Sequence, residues 1–269
     1  MQYEPIKETI GRFCTGRPLM RKILYFLIDI LLLRAWHVNK ALKKIATLLP
    51  ADASVLDAGS GLGQYSWRMV RMRKGWKIKG VDINSREVND CIDFFTIAGM
   101  SDRVIFSTGD LTLLSDTDSY DLILSVDVME HIEDDLLVFK NFHRALKEKG
   151  TLLISTPSDR GGSDVHGHDE ESFIDEHVRN GYSISDISEK LKAAGFSSVE
   201  AKYTYGRPGN ISWKLSMKYP VKMLNVSYLF FILLPFYYLV FFPVSLILNM
   251  FDVMMTHESG SGLLVKATK

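Results

Sequence analysis

The residues best suited by type and spacing to do chemistry lie between Asp57 and His131. Asp57 closes a short apolar run, 54–57, and opens the turn Asp57-Ala-Gly59-Ser60-Gly61-Leu-Gly63, which leads into a helix-compatible stretch. Glycines at such a junction bare backbone N–H groups at a helix N-terminus, a place suited to an anion. A dinucleotide loop spaces its glycines G-x-G-x-x-G to fit a pyrophosphate. Here the third glycine comes one residue early, and the preceding acid would repel a pyrophosphate. The loop instead suits a ligand that joins a cationic amine to a carboxylate. Asp82 ends the next strand-like run, where a carboxylate can accept hydrogen bonds from both ribose hydroxyls. In Thr108-Gly-Asp110-Leu111 the acid could hold an adenine amino group, with Leu111 and Ile83 on either side of the ring.

S-adenosylmethionine carries an ammonium, a sulfonium and a carboxylate together with adenosine, and it is the cofactor these residues suit. Asp57 would serve the positive end, directly or through water. The backbone of Gly59, Ser60 and Gly61 would serve the carboxylate. Asp82, Ile83, Asp110, Leu111 and Val126 complete the expected contact set. The competing readings of the loop are an NAD site and a glycine turn with no ligand.

Helices and strands must alternate to position these residues. Strands are expected at 54–57, 77–82, 104–107, 120–126 and 151–155, and helices at 64–73, 85–98 and 134–147. The run YDLILSV is apolar enough to be buried on both faces. Such repeats imply a parallel sheet with helices on both faces, right-handed crossovers and ligands at the carboxyl ends of the strands. A further helix at 185–194 and strands at 198–205 and 262–268 follow.

VLDAGSGLG, GVDIN, FSTGDL and YDLILSVDVMEHIEDD resemble the successive motifs of class I S-adenosylmethionine-dependent methyltransferases. The resemblance covers roughly 53–156, and more loosely 183–205. It implies a Rossmann-like α/β fold: a seven-stranded, mostly parallel sheet whose last strand is antiparallel. Ser60 departs from the Cys or Gly of many members. Asp127-Val-Met-Glu130-His131 is similar to the E-x-x-E-H of the ubiquinone-biosynthesis O-methyltransferases, where these groups are associated with a divalent metal near the acceptor hydroxyl. Carried over, Asp127, Glu130 and His131 become candidate catalytic residues and candidate ligands of Mg²⁺ or Mn²⁺. The other readings are a structural Glu-His pair and His131 as a metal-free general base. No base is obligatory, because placing acceptor and methyl in line supplies much of the acceleration. His166, His168 and His177 match no standard zinc spacing and read as part of a polar flap. By resemblance to lipid- and quinone-directed members, His177 and Tyr182 are substrate-side candidates.

Lys and Arg total 32 against 32 Asp and Glu, so a nucleic acid is not the expected partner. Cys14 and Cys91 form no metal-ligand spacing, and a reducing cytosolic compartment fits. The N-terminus lacks the pattern of a signal peptide. Residues 228–248, YLFFILLPFYYLVFFPVSLIL, carry no charge and reach the roughly 20 residues a bilayer span requires. If 198–205 and 262–268 belong to one sheet, however, the intervening segment must return to the side it left. Pro235 and Pro243 favour bent pieces. Lys214, Lys218 and Lys222 recur every four residues, suited to anionic headgroups, and Trp213, Tyr219 and Tyr228 suit the interfacial zone. Residues 19–33, with Arg21, Lys22 and Arg34 at the ends, could add an adjoining apolar helix.

The expected organisation is an N-terminal helical extension (1–50), a core (51–206), a membrane-associating insertion (207–259) and the final core strand (260–269). The expected activity is S-adenosylmethionine-dependent methylation of a hydrophobic or lipid-like small molecule, an O-methylation first. The expected location is the cytoplasmic face of a membrane, monotopic or peripheral. The alternatives are N- or C-methylation of a phospholipid headgroup or quinone ring, and a non-catalytic membrane adaptor. For the apolar stretches the rivals are a dimer interface and a hydrophobic substrate tunnel.

Overall fold

The computed structural model describes residues 17–161, 178–179, 181–227 and 229–269. The expected alternation is present. Strands β1 (Ser54–Ala58), β2 (Lys77–Asp82), β3 (Val104–Thr108), β4 (Tyr120–Val126), β5 (Leu146–Pro157), β6 (Ser198–Thr204) and β7 (Gly262–Thr268) form one sheet, ordered β3-β2-β1-β4-β5-β7-β6. The first five pair in parallel; β7 lies antiparallel between β5 and β6.

Helices α1 (Pro18–Leu31), α2 (Leu33–Ala46), α3 (Gln64–Met72), α4 (Ser85–Ile97), α5 (Asp135–Ala145) and α6 (Ile184–Ala193) surround the sheet. Their starts are written in the sequence. Asn84, Asp134 and Ser183 cap α4, α5 and α6 by accepting hydrogen bonds from the first-turn N–H groups. Two apolar layers hold the sheet. One packs β1, β4, β5 and β7 against α5 and α6 through Ile123, Phe139, Phe142 and Leu191. The other packs α1, α2, α3 and α4 through Tyr25, Leu42, Met69 and Phe95.

The apolar segment between β6 and β7 leaves the sheet and returns to it as a helical hairpin. Helix α7 (Arg207–Trp213) continues through a π-helical turn (Lys214–Lys218) into α8 (Tyr219–Val226), and α9 (Phe230–Met254) runs back. The hydroxyls of Ser212, Tyr237 and Tyr238 donate to the carbonyls of Ser245, Leu215 and Ser216, which staples the two arms together. Pro235 and Pro243 lie inside one uninterrupted α9 rather than dividing it into pieces. Each proline removes a single ladder donor, and the remaining bonds carry the helix past it. The π-turn changes the register of the lysine row, leaving Lys214 and Lys218 half-buried and Lys222 exposed.

The N-terminal run 19–33 is not one helix, since it breaks at Leu32 between α1 and α2. Arg21, near one end of that run, is buried.

Candidate active site

Asp57, next to last in β1, is 2% exposed. It accepts a 2.6 Å hydrogen bond from the Ser66 hydroxyl of α3. Burial raises its carboxyl to about 6, above the opposing effect of Ser66. The turn that follows is built on positive φ at Gly59, Gly61 and Gly63. At Gly59 a Cβ would stand 2.2 Å from Val128 Cγ2, so the side chain is excluded by both backbone conformation and space.

The loop backbone is not the open anion cradle that its glycines suggest. The N–H groups of Gly59 and Ser60 donate to the Val81 carbonyl at 2.8 and 3.0 Å, and that of Gly63 donates to Ser60. The Gly61 N–H donates to Asp82 at 2.7 Å, and the other Asp82 oxygen accepts from the Asn84 N–H at 2.9 Å. These bonds fix the loop against β2. The buried Ser60 and Ser125 hydroxyls have no hydrogen-bond partner among the described residues. They lie in the loop and near the carboxyl end of β4, which suits a polar ligand bound there.

Ile83 is 75% exposed just beyond β2, while Leu111 is buried in the core. The expected ring sandwich is therefore only half present. Asp110 caps the short turn Leu111–Leu113 by accepting from the Thr112 N–H, and that turn swings Leu111 inward. Asp110 is exposed and Val126 half-buried.

Asp127 follows β4 with φ +51°. Its carboxylate is ion-paired with Arg34, at the start of α2. The Arg34 N–H donates to the Tyr205 hydroxyl at 2.9 Å, just beyond β6. Burial raises the phenols of Tyr65 and Tyr205 against the lowering effect of Arg34 beside them. Arg34, Tyr65 and Tyr205 thus join Asp127 at one end of the sheet. The motif pattern held no signal for them, because they come from three segments far apart in sequence.

Glu130 feels the same Arg34 charge, but it is buried. It is 1% exposed and accepts a 3.0 Å hydrogen bond from the Thr156 hydroxyl, and burial raises its carboxyl. His131 is exposed on the same short turn. Among the described residues no three carboxylate, imidazole or thiol groups converge as metal ligands. With Asp127 held by Arg34 and Glu130 turned inward, this arrangement does not fit the Mg²⁺ or Mn²⁺ site expected of Asp127, Glu130 and His131.

Tyr182 is also not on a substrate-facing surface. It is fully buried, with its hydroxyl on Met129 O and Asp135 at 3.1 and 2.7 Å. Arg179 binds the same Asp135 and the Ile132 carbonyl. Together they fasten the chain after β5 to the turn carrying Glu130 and His131. His166, His168 and His177 lie outside the described residues.

A family model described as a methyltransferase domain matches residues 33–201, more than half of the chain. Among curated proteins, phosphoethanolamine N-methyltransferase 1 of Zea mays is 30% identical over 158 residues, 57% of this chain and 30% of that one. Erythromycin 3''-O-methyltransferase of Saccharopolyspora erythraea is 28% identical over 166 residues, 55% of this chain and 52% of that one. The chain therefore spans about a third to a half of the length of these relatives. Among solved structures, a Haemonchus contortus phosphoethanolamine N-methyltransferase 2, in complex with phosphomonomethylethanolamine and S-adenosylhomocysteine, superposes with a TM-score of 0.61. Its identity is 20%, and the match covers 87% of this chain and 52% of that one. At that identity the likeness is one of fold.

Proposed function

The chain belongs to the methyltransferase-domain family, and from that premise we propose that it methylates the polar end of an amphiphile held in a membrane surface, with S-adenosylmethionine as donor. The observation that carries the membrane half is the hairpin between β6 and β7. Phe231, Ile232, Phe236, Leu239 and Val240 of α9 are all more than half exposed. Such a surface is costly in water and is expected of a contact with lipid. Because both arms rejoin the same sheet, the hairpin enters the membrane and returns to the side it left. The side it enters from is the cytoplasmic one.

The donor half rests on Asp57, the Gly59–Gly63 loop and Asp82, which fit a ligand with a cationic amine and a ribose. When bound, S-adenosylmethionine supplies a methyl group on a positively charged sulfur. Asp57 holds the amine. Asp82, already fixed by Gly61 and Asn84, presents its remaining acceptor capacity to the ribose. The exposed His131 takes the proton that the acceptor releases and returns it to water. Placement of the acceptor in line with the methyl supplies the rest.

The acceptor atom can be a hydroxyl, the first expectation, or an amine. The Arg34–Asp127 pair favours the amine of a zwitterionic headgroup, with the carboxylate facing the ammonium and the guanidinium facing the phosphate. Two measurements test the reading separately. Calorimetry with S-adenosylhomocysteine should give saturable one-site binding, and its absence sinks the donor half. Flotation with lipid vesicles should carry the protein upward in the gradient, and full recovery at the bottom sinks the membrane half.

A further inference from the structure

Helix α1 has two faces, and only one of them belongs to the protein core. Arg21, Tyr25 and Asp29, spaced by four, look inward. Arg21 donates to the carbonyls of Asp90 and Leu62, both at 2.8 Å, and to Cys91 Sγ. The Tyr25 hydroxyl donates to the same Leu62 carbonyl at 2.5 Å. Asp29 accepts from Gln64 at 2.7 Å and is ion-paired with Arg68, both on α3. Leu62 lies inside the glycine loop, and Cys91 donates to Gly61 O at 3.4 Å. The inner face of α1 therefore grips the cofactor loop and the helix that follows it.

The outer face is apolar. Leu19, Ile23, Phe26 and Leu27 follow helical spacing and are 41–70% exposed. Lys22 beside this stripe is an exposed cation, with its ammonium over the Trp67 ring at 5.5 Å. Along the chain, the helix that carries the stripe leads directly to the base of the hairpin. Only Leu32 separates α1 from α2. Helix α2 holds the end of α9 through His37, 2.8 Å from Asp252, and through Lys40, 2.7 Å from the Val253 carbonyl.

We propose that the outer face of α1 rests on the anionic lipid surface that receives the hairpin, and that this contact tightens cofactor binding through the Leu62 carbonyl. The inference rests on the membrane reading above and deepens it, because the lipid becomes an activator as well as a platform. A seated α1 keeps two donors on Leu62 and holds the Asp57–Gly63 turn in its binding shape. Lipid favours the seated helix by covering four side chains that water does not. Positive coupling then follows from linkage: what stabilises the seated state raises affinity for any ligand that needs it.

The test is calorimetry of S-adenosylhomocysteine binding to the full chain, with and without vesicles of phosphatidylcholine and phosphatidylglycerol. The wild type should bind about five- to tenfold more tightly on vesicles, within the usual range of coupling between sites. Amide exchange of residues 57–63 should slow in parallel. The double variant Phe26→Glu/Leu27→Glu changes exposed residues only. It should keep the vesicle-free affinity, still float through its hairpin, and show no tightening. A wild type that floats with unchanged affinity overturns the inference and leaves the membrane reading intact. Equal tightening in the double variant overturns it too, as does a dimer that covers this face and is split by the same substitutions. A wild type that does not float overturns the membrane reading itself, and the inference with it.

Discussion

Arg34 and Asp127 form an ion pair between two parts of the chain that the sequence separates by more than ninety residues. One is the first turn of α2, the other the positive-φ residue that follows β4. The pair stands at the carboxyl edge of the sheet, where open α/β folds bind their ligands. A zwitterionic acceptor can exchange this internal pair for two pairs with itself. Arg34→Gln should therefore raise KM for such an acceptor by about tenfold, the scale of one hydrogen bond to a charged group. Affinity for S-adenosylhomocysteine should stay within about twofold. Steady-state kinetics beside calorimetry separates the two effects. An equal loss of both would assign Arg34 to the cofactor site instead.

Asp57 gives a pH dependence whose sign follows from its burial. Its carboxyl is raised to about 6 in the folded, ligand-free protein. As pH falls through 6 the group protonates and loses its hold on a cationic amine. Affinity for S-adenosylhomocysteine should fall by up to about tenfold per pH unit below 6 and level off above 7. Asp57→Asn should bind weakly and flatten that part of the profile. Linkage also acts on the ligand-free fold. A carboxyl raised above its unfolded value stabilises the fold at low pH, and that contribution is lost as pH rises from about 4 through 6. Ligand should offset the loss, so the shift in Tm on adding S-adenosylhomocysteine should be larger at pH 7 than at pH 5.

Gly59 tests the loop's backbone. An alanine there must hold φ near +78° and push its Cβ into Val128. Strain and overlap together should cost about 2–4 kcal/mol, read as a lower midpoint in urea unfolding. Val128→Ala should recover the overlap and leave the strain. Full rescue by Val128→Ala would contradict the assignment of positive φ.

How legible this molecule is in its sequence depends on how local each cause is. The strand–helix alternation, the helix caps and β7 at 262–268 are set by neighbours in sequence, and the fold follows from them. Glu130 and Leu111 each sit in a short turn that decides which way the side chain faces, and a motif spacing does not encode that turn. Arg21 reads as a flanking charge in an apolar run; only the folded chain brings the Leu62 carbonyl to it. Pro235 and Pro243 read as helix breaks, yet α9 absorbs both because each disturbs a single bond. Arg34 carries no local signal, since its partners come from β4 and the end of β6.

Asp252 is the point where the hairpin is fixed to the body. It is fully buried, 2.8 Å from His37 Nε2, and it accepts from the Gly209 N–H at 2.9 Å. Asp252→Ala would leave His37 and the Gly209 N–H buried without that acceptor. The expected loss is about 2–5 kcal/mol, on the scale of one to three for each buried donor left without an acceptor, measured by urea unfolding. Limited proteolysis should then cut within 207–259 before the sheet. Unchanged resistance there would show that the hairpin does not depend on this clamp.

The most direct measurement follows the methyl group itself. Purified protein is given S-adenosylmethionine with a deuterated methyl and vesicles of a total lipid extract, and the recovered lipids are read by mass spectrometry. A three-deuterium methyl should appear on an amphiphile's polar end, formed by the wild type and lost in Asp57→Ala. Label absent from every lipid while S-adenosylhomocysteine still binds would contradict the membrane acceptor. Equal labelling by Asp57→Ala would contradict the site.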